Sequence, residues 1–235
     1  MNKIKKKIVA IGGGGFTHRS DKDLDQFVLN QSDTINLKIG FLATASKDDK
    51  YKVDLFYQRF NKMSHELSHF NLCSNIDGFN NWILKKDIIY VGGGNTSYML
   101  KIWKQNELDK IFRKAYENGI ILSGVSAGAV CWFDWILSDS DGSLKPLKGI
   151  SLISGSCTPH ASESKRIEQF KNNIKNNKLS PGIAIEDGVA VLFIDGKPSE
   201  VYSSRKDHNA YFIDTNKKIS LKEYIEKNYE QNISK

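Results

Sequence analysis

Apolar residues along the chain fall into two rhythms. Short, nearly continuous runs at Lys7–Ile11, Leu37–Leu42, Ile88–Val91 and Gly119–Ser123 predict buried strands. Between them, Asp21–Asn30 carries Leu24, Phe27 and Val28 at helical spacing. Lys50–His69 places Val53, Phe56, Phe60, Met63 and Leu67 at threes and fours, with only Leu55 off the stripe, which predicts one long amphipathic helix. Phe70–Cys73 reads as the next strand, and Ser97–Asn118 is helical. This alternation predicts an α/β fold: a mostly parallel sheet sandwiched by helices. After Ser126 the rhythm changes. Ala127–Phe133 reads as helix, followed by short strands at Trp135–Ser138, Gly149–Ser154, Gly182–Ile185 and Val189–Phe193. Asp195-Gly196 marks a hairpin, and Ser162–Asn176 and Leu221–Tyr229 read as helices. With no internal repeat and no linker, a single domain spanning 1–235 is expected.

Composition narrows the class. A chain of 235 residues that is 40% hydrophobic can bury a substantial core. Four prolines and 18 glycines exclude a disordered or collagen-like chain. No apolar stretch approaches the ~20 residues of a membrane span. The basic start breaks into Gly12–Gly15 too early for a signal-peptide core. Three cysteines with no CxxC spacing suit a reducing compartment, so a cytoplasmic protein is expected. The 34 basic and 27 acidic residues leave +7, but lysines are scattered and no arginine-rich, aromatic-interleaved patch occurs. Neither nucleic acid nor membrane is an expected partner; a homo-oligomer is left open.

Chemistry concentrates at Gly124-Val125-Ser126-Ala127-Gly128, a G-x-S-x-G directly after an apolar strand and before a helix. A serine on so tight a turn needs small neighbours, because strand and helix backbones pass close together. The helix start also offers free N–H groups where an oxyanion would form. The serine needs a base, and five histidines are available. His18 and His208 lie in polar, loop-like stretches, and His65 and His69 on the long helix. His160 follows Pro159 at a strand end and is the first choice. An orienting carboxylate is expected at Asp139 or Asp141, after the strand that follows the nucleophile helix. Gly93 and Gly94, in the triple glycine ending the third strand, together with Ala127, are the expected oxyanion donors.

Three competing motifs fail on context. Gly92–Gly94 is not followed by Gly-Lys-Ser/Thr, and Gly12–Gly15 lacks the last glycine of G-x-G-x-x-G, so nucleotide binding is disfavoured. His65-Glu66-Leu67-Ser68-His69 matches H-E-x-x-H, but its helix would end at His69 and no third ligand is apparent, so no metal site is expected. Cys131 and Cys157 read as buried small hydrophobes rather than nucleophiles.

The blocks Tyr90–Thr96, Gly124–Ala129 and Pro159-His160 occur in an order that resembles the peptidase E (α-aspartyl dipeptidase) and cyanophycinase family of serine peptidases. Cys131-Trp132-Phe133 resembles its Gram-positive peptidase E-like branch. The resemblance runs from about Lys7 to Phe193. It implies a fold related to class I glutamine amidotransferases, a Ser–His–acid triad with Ser126 and His160, and no cofactor. It favours Asp139 over Asp141, and places Asn95 and Glu186 near the substrate. The implied activity is a serine exopeptidase of dipeptidase type acting on small peptides. The alternatives are an amidase or isoaspartyl/cyanophycin-type hydrolase, or a silent binding protein on the same scaffold. A preference for N-terminal aspartate, as in peptidase E, would need a cation. Arg166 and Arg205 are the candidates, since a guanidinium can engage a carboxylate bidentately.

Overall fold

The computed structural model describes residues 4–61 and 65–233. In chain order the strands are β1 (Lys7–Ile11), β2 (Lys38–Leu42), β3 (Glu66–His69), β4 (Ile88–Val91), β5 (Ile121–Val125), β6 (Phe133–Ser138), β7 (Lys145–Lys148), β8 (Ile153–Thr158), β9 (Gly182–Ile185), β10 (Val189–Ile194), β11 (Lys197–Ser203), β12 (Ala210–Ile213) and β13 (Lys218–Ser220). The helices are α1 (Lys22–Leu29), α2 (Lys50–Phe60), α3 (Phe79–Ile83), α4 (Thr96–Gln105), α5 (Leu108–Glu117), α6 (Ala127–Val130), α7 (Ser164–Lys175) and α8 (Leu221–Ile233). They build two mixed sheets. The first runs β11-β10-β1-β5-β4-β2-β3, and the second β13-β12-β9-β8-β6-β7. In the first, β1, β5, β4, β2 and β3 are parallel; in the second, β6, β8 and β9 are.

The strand period of two sorts β1 onto both faces of its sheet. Val9 and Ile11 join α1 and α2 in one cluster, where Phe16, Phe41, Phe56 and Phe60 interlock. Ile8 and Ala10 face the opposite cluster, with Met99 and Trp103 of α4 and Phe112 of α5. That second cluster continues into the other sheet through Ile153 and Ile183, so the two sheets share one core. The outer side of the second sheet is covered by α7, whose Ile167, Phe170 and Ile174 pack on Leu137 and Ala184.

Several expected elements are redrawn. The helix predicted over Lys50–His69 stops at Phe60, capped by Asn61. Leu67 belongs instead to β3, where it pairs with Ile39 of β2 and reaches the same cluster from a strand. Met63 lies outside the described residues, and Phe70–Cys73 is no strand. The helix predicted at Ser97–Asn118 is two, broken where Glu107 takes φ 52°. The helix expected over Ala127–Phe133 is a single turn, because Phe133 already begins β6. The strand expected at Gly149–Ser154 is displaced to Ile153–Thr158. No described helix is long and apolar enough to cross a membrane.

Candidate active site

The functional side chains lie where the carboxyl ends of both sheets meet, the usual binding edge of an α/β sheet. Register sets this. Gly124 of β5 lies level with Ala10 of β1 and Val91 of β4. The loop Gly12–Gly15, the triple glycine Gly92–Gly94 and Ser126 therefore emerge together. In the second sheet Thr158 of β8 is level with Ala184 of β9. His160, just past β8, is thus a neighbour of Asp187, just past β9.

Ser126 sits between β5 and α6 with φ 55° and ψ −112°, a conformation that costs roughly 1–3 kcal/mol for a residue with a side chain. Its surroundings hold it there. Its N–H donates to the Ile11 carbonyl at 2.9 Å, and its carbonyl accepts from Ala129 and Val130. The flanking glycines are required by space: a Cβ on Gly124 would collide with the Gly128 carbonyl, and one on Gly128 with the Val91 carbonyl. Gly93 lies against Ser126, since a Cβ there would stand 3.3 Å from the serine Cβ. Among the described residues none accepts from the N–H groups of Gly93, Gly94 or Ala127. Free donors beside a nucleophile are what an oxyanion hole needs.

Ser126 Oγ lies 2.8 Å from His160 Nε2, and His160 Nδ1 lies 2.6 Å from Asp187 Oδ1. A carboxylate only accepts, so Nδ1 carries the proton and Nε2 is left to accept from the serine hydroxyl. The hydrogen bond from His160 is the largest cause holding Asp187 below its ordinary carboxylate value. Burial opposes it, and Arg205 and His18 assist it. The Gly12–Gly15 loop braces this pair. Gly12 accepts from the His160 N–H, Gly13 accepts from Gly188 at 2.8 Å, and a Cβ on Gly13 would strike the Asp187 carboxylate.

The expected acids stand elsewhere. Asp139 Oδ2 accepts from Arg166 Nη2 at 2.7 Å and does not reach His160. Burial pushes the Asp139 carboxyl up, but the hydrogen bond and charge of Arg166 outweigh it, so its pKa lies below the ordinary value. Asp141 is exposed on the following loop. The reason is topological: β8 has β6 on one side and β9 on the other, and the imidazole turns to the β9 side. Glu186, one residue before Asp187, points away and accepts from the Asn209 N–H at 2.8 Å. Asn95 is structural as well. Its Oδ1 caps α4 by accepting from Tyr98, and its Nδ2 donates to the Ser140 carbonyl.

Both candidate arginines are engaged. Arg166, whose side chain is 4% exposed, meets Asp139 and Glu163. Arg205 forks onto Asp21 at 3.0 and 2.8 Å and, by that bond above all, draws the Asp21 carboxyl down to about 2. Two cavities open beside Ser126. One, of about 330 Å³, is lined by Ser126, His160, Asp139, Glu163 and Arg166 among others. The other, of about 250 Å³, is lined by Gly93, Gly94, Ser126, Thr17, His18, Ser46 and Lys52.

The remaining candidates do not converge. His65 and His69 flank and end β3, and four strand residues span about 13 Å, too far for one ion. His69 meets the Tyr57 hydroxyl at 2.9 Å. Burial drives the thiols of Cys131 and Cys157 well above their usual pKa, so neither is a thiolate nucleophile. Asp187, absent from the sequence-based candidates, is the carboxylate that the structure brings to His160. Local pattern shows only a carboxylate beside Glu186 in the turn after an apolar strand; that this strand flanks β8 is set by topology.

Residues 8–201 match the model of peptidase family S51. An uncharacterized peptidase, YgaJ of Bacillus subtilis (strain 168), is 40% identical over 212 residues, covering 88% of this chain and 91% of that protein. Among solved structures, a peptidase from an acI-B1 Actinobacterium superposes with a TM-score of 0.74 at 14% identity, over 94% of this chain and 96% of that one. A peptidase E candidate from Listeria monocytogenes EGD-e gives a TM-score of 0.64 at 19% identity, over 86% and 100%. At these identities the two structures speak for the fold alone.

Proposed function

The chain belongs to peptidase family S51 and is a serine-type peptidase, and from that premise we propose a one-domain cytoplasmic exopeptidase that hydrolyses small peptides through Ser126, His160 and Asp187. The observation that carries the reading is the unbroken relay Ser126–His160–Asp187 at 2.8 and 2.6 Å. Ser126 Oγ attacks the scissile carbonyl carbon while His160 Nε2 takes its proton. Asp187 steadies the resulting imidazolium. The N–H groups of Ala127 and of Gly93 or Gly94 receive the oxyanion. Collapse of the tetrahedral adduct expels the amine, which takes the proton from His160. A water then repeats the cycle on the acyl-enzyme and restores Ser126. No cofactor enters this cycle. The two cavities, of about 330 and 250 Å³, lie at the low end of ligand-pocket size, which suits a short peptide.

Neither candidate arginine supports a preference for N-terminal aspartate. An acid-selective pocket needs an uncommitted cation. In the Arg166 cavity one guanidinium faces two carboxylates, a balance that favours the free α-ammonium of a peptide. Arg205 is committed to Asp21. The reading is tested with a fluorophosphonate probe and a dipeptide panel that includes β-aspartyl substrates. Wild type should label and hydrolyse α-dipeptides. Ser126→Ala should remain folded, lose all labelling and lose kcat by ~10⁴-fold or more. Activity of Ser126→Ala within tenfold of wild type would refute it.

A further inference from the structure

The two cavities beside Ser126 differ in how their charges are satisfied. On the Arg166 side every full charge has a partner, and carboxylates outnumber the guanidinium. On the other side stands Lys52, on the first turn of α2 and half-buried. Its Nζ donates to the Thr17 carbonyl at 3.1 Å, which fixes the ammonium at the cavity wall. An ammonium has three protons to donate, so two remain after that bond. Among the described residues no carboxylate pairs with Lys52, in contrast to Arg166 and Arg205. The same cavity is lined by Gly93, Gly94 and Ser126, so Lys52 shares it with the nucleophile and the free N–H groups.

A cation held by a backbone carbonyl, without a counter-ion among the described residues and lining the same cavity as the reacting serine, is a site for an anionic group of the substrate. We infer that Lys52 anchors a substrate carboxylate in the cavity that it lines together with Ser126 and Gly93. The inference rests on the peptidase reading above. A small peptide offers such a carboxylate from two sources, its free C-terminus or an acidic side chain. In either case the ion pair is partly shielded from water and made of charge-assisted hydrogen bonds. Together the two cavities, which share Ser126 and Gly94, would sort a peptide by charge, with carboxylates for its ammonium in one and an ammonium for its carboxylate in the other.

The test uses substrate pairs that differ by one carboxylate: Ala-Leu against Ala-Leu-amide, and Asp-Leu-amide against Asn-Leu-amide. For each pair the ratio of kcat/KM is compared among wild type, Lys52→Met and Lys52→Arg. The proposal expects wild type to favour the carboxylate member of at least one pair by roughly tenfold to a hundredfold, the size of a hydrogen bond to a charged group. The preference should appear in KM rather than kcat. Lys52→Met should bring that ratio close to one, and Lys52→Arg should recover part of it. Which pair responds identifies the source: the first the C-terminus, the second an acidic side chain. Ratios near one for both pairs in wild type, or ratios that Lys52→Met leaves in place, overturn the proposal. Fluorophosphonate labelling of all three proteins is read in parallel. Labelled, hydrolytically active enzyme with flat ratios refutes only the role of Lys52, whereas loss of labelling and hydrolysis in wild type refutes the peptidase reading beneath it.

Discussion

The ends of β6 and β9 each deliver a carboxylate toward the strand between them, and the two meet opposite fates. Asp187, past β9, lies against the imidazole at 2.6 Å and is half shielded, its side chain 30% exposed. Asp139, past β6, is 61% exposed and bonded to Arg166. Both pKa values fall, but under different control: His160 is the main cause at Asp187, while at Asp139 burial opposes and Arg166 prevails. Two acids in nearly equivalent places on a parallel sheet thus acquire different work. The difference comes from what faces each of them. Around Asp187 stand the glycine loop after β1 and the imidazole; around Asp139 stands the first turn of α7 with its arginine. A carboxylate's role in such a site is assigned by its partner, not by its distance along the chain from the nucleophile.

The comparison breaks most sharply at Asp187. Asp187→Asn offers the histidine an amide that can donate, which favours the wrong tautomer, so kcat should fall by ~10³–10⁴-fold with the fold intact. Steady-state kinetics beside a circular dichroism spectrum measures this. The matching change on the β6 side, Asp139→Asn, should keep kcat within about tenfold, because the carboxylate it removes is bonded to Arg166 and not to His160, and Arg166 retains Glu163; its cost should appear in stability, since the Arg166 side chain is buried. Should Asp139→Asn prove the more damaging of the two, the acid has been placed on the wrong side of His160.

A smaller effect concerns Arg205, which draws down Asp187 as well as Asp21. The Asp21 carboxyl is lowered from 3.8 to about 2. It therefore binds its proton less readily folded than unfolded, and the stability this confers is present above pH 3.8 and lost as the pH falls through 2. Arg205→Leu should cost about 1 kcal/mol at pH 6, partly screened because the arginine is 38% exposed. Urea titrations at pH 6, 4 and 2.5 should show the gap to wild type closing. A gap that stays constant with pH would assign the cost to packing instead.

Much of the first sheet was legible because fully buried parallel strands are apolar runs, and β1, β2, β4 and β5 stand near their expected places. The polar, half-exposed strands were not. Lys197–Ser203, Lys218–Ser220 and Lys145–Lys148 carry lysines and prolines that local pattern assigns to loops, and only pairing makes them strands. Leu67 shows the reverse error, a residue at helical spacing that reaches its cluster from a strand. At the site, Ser126 and His160 could be read from local context, one from an elbow and the other from a strand end. Asp187 could not be chosen that way, because the strand that flanks β8 is a fact of topology. Lys52 was hidden for a similar reason: one lysine among many until its partners, and the missing one, are seen.

Ser126 follows a strand of the first sheet, while His160 and Asp187, to which it is linked, follow strands of the second. The chain builds β1 to β5, then β6 to β9, and only then returns with β10 to pair with β1. A growing chain that has released the elbow alone holds a nucleophile with no base. On the proposed mechanism, hydrolytic competence needs both sheets formed and docked, because only then do Ser126, His160 and Asp187 meet. On that mechanism, the appearance of activity during refolding is expected to report the final docking of the two sheets.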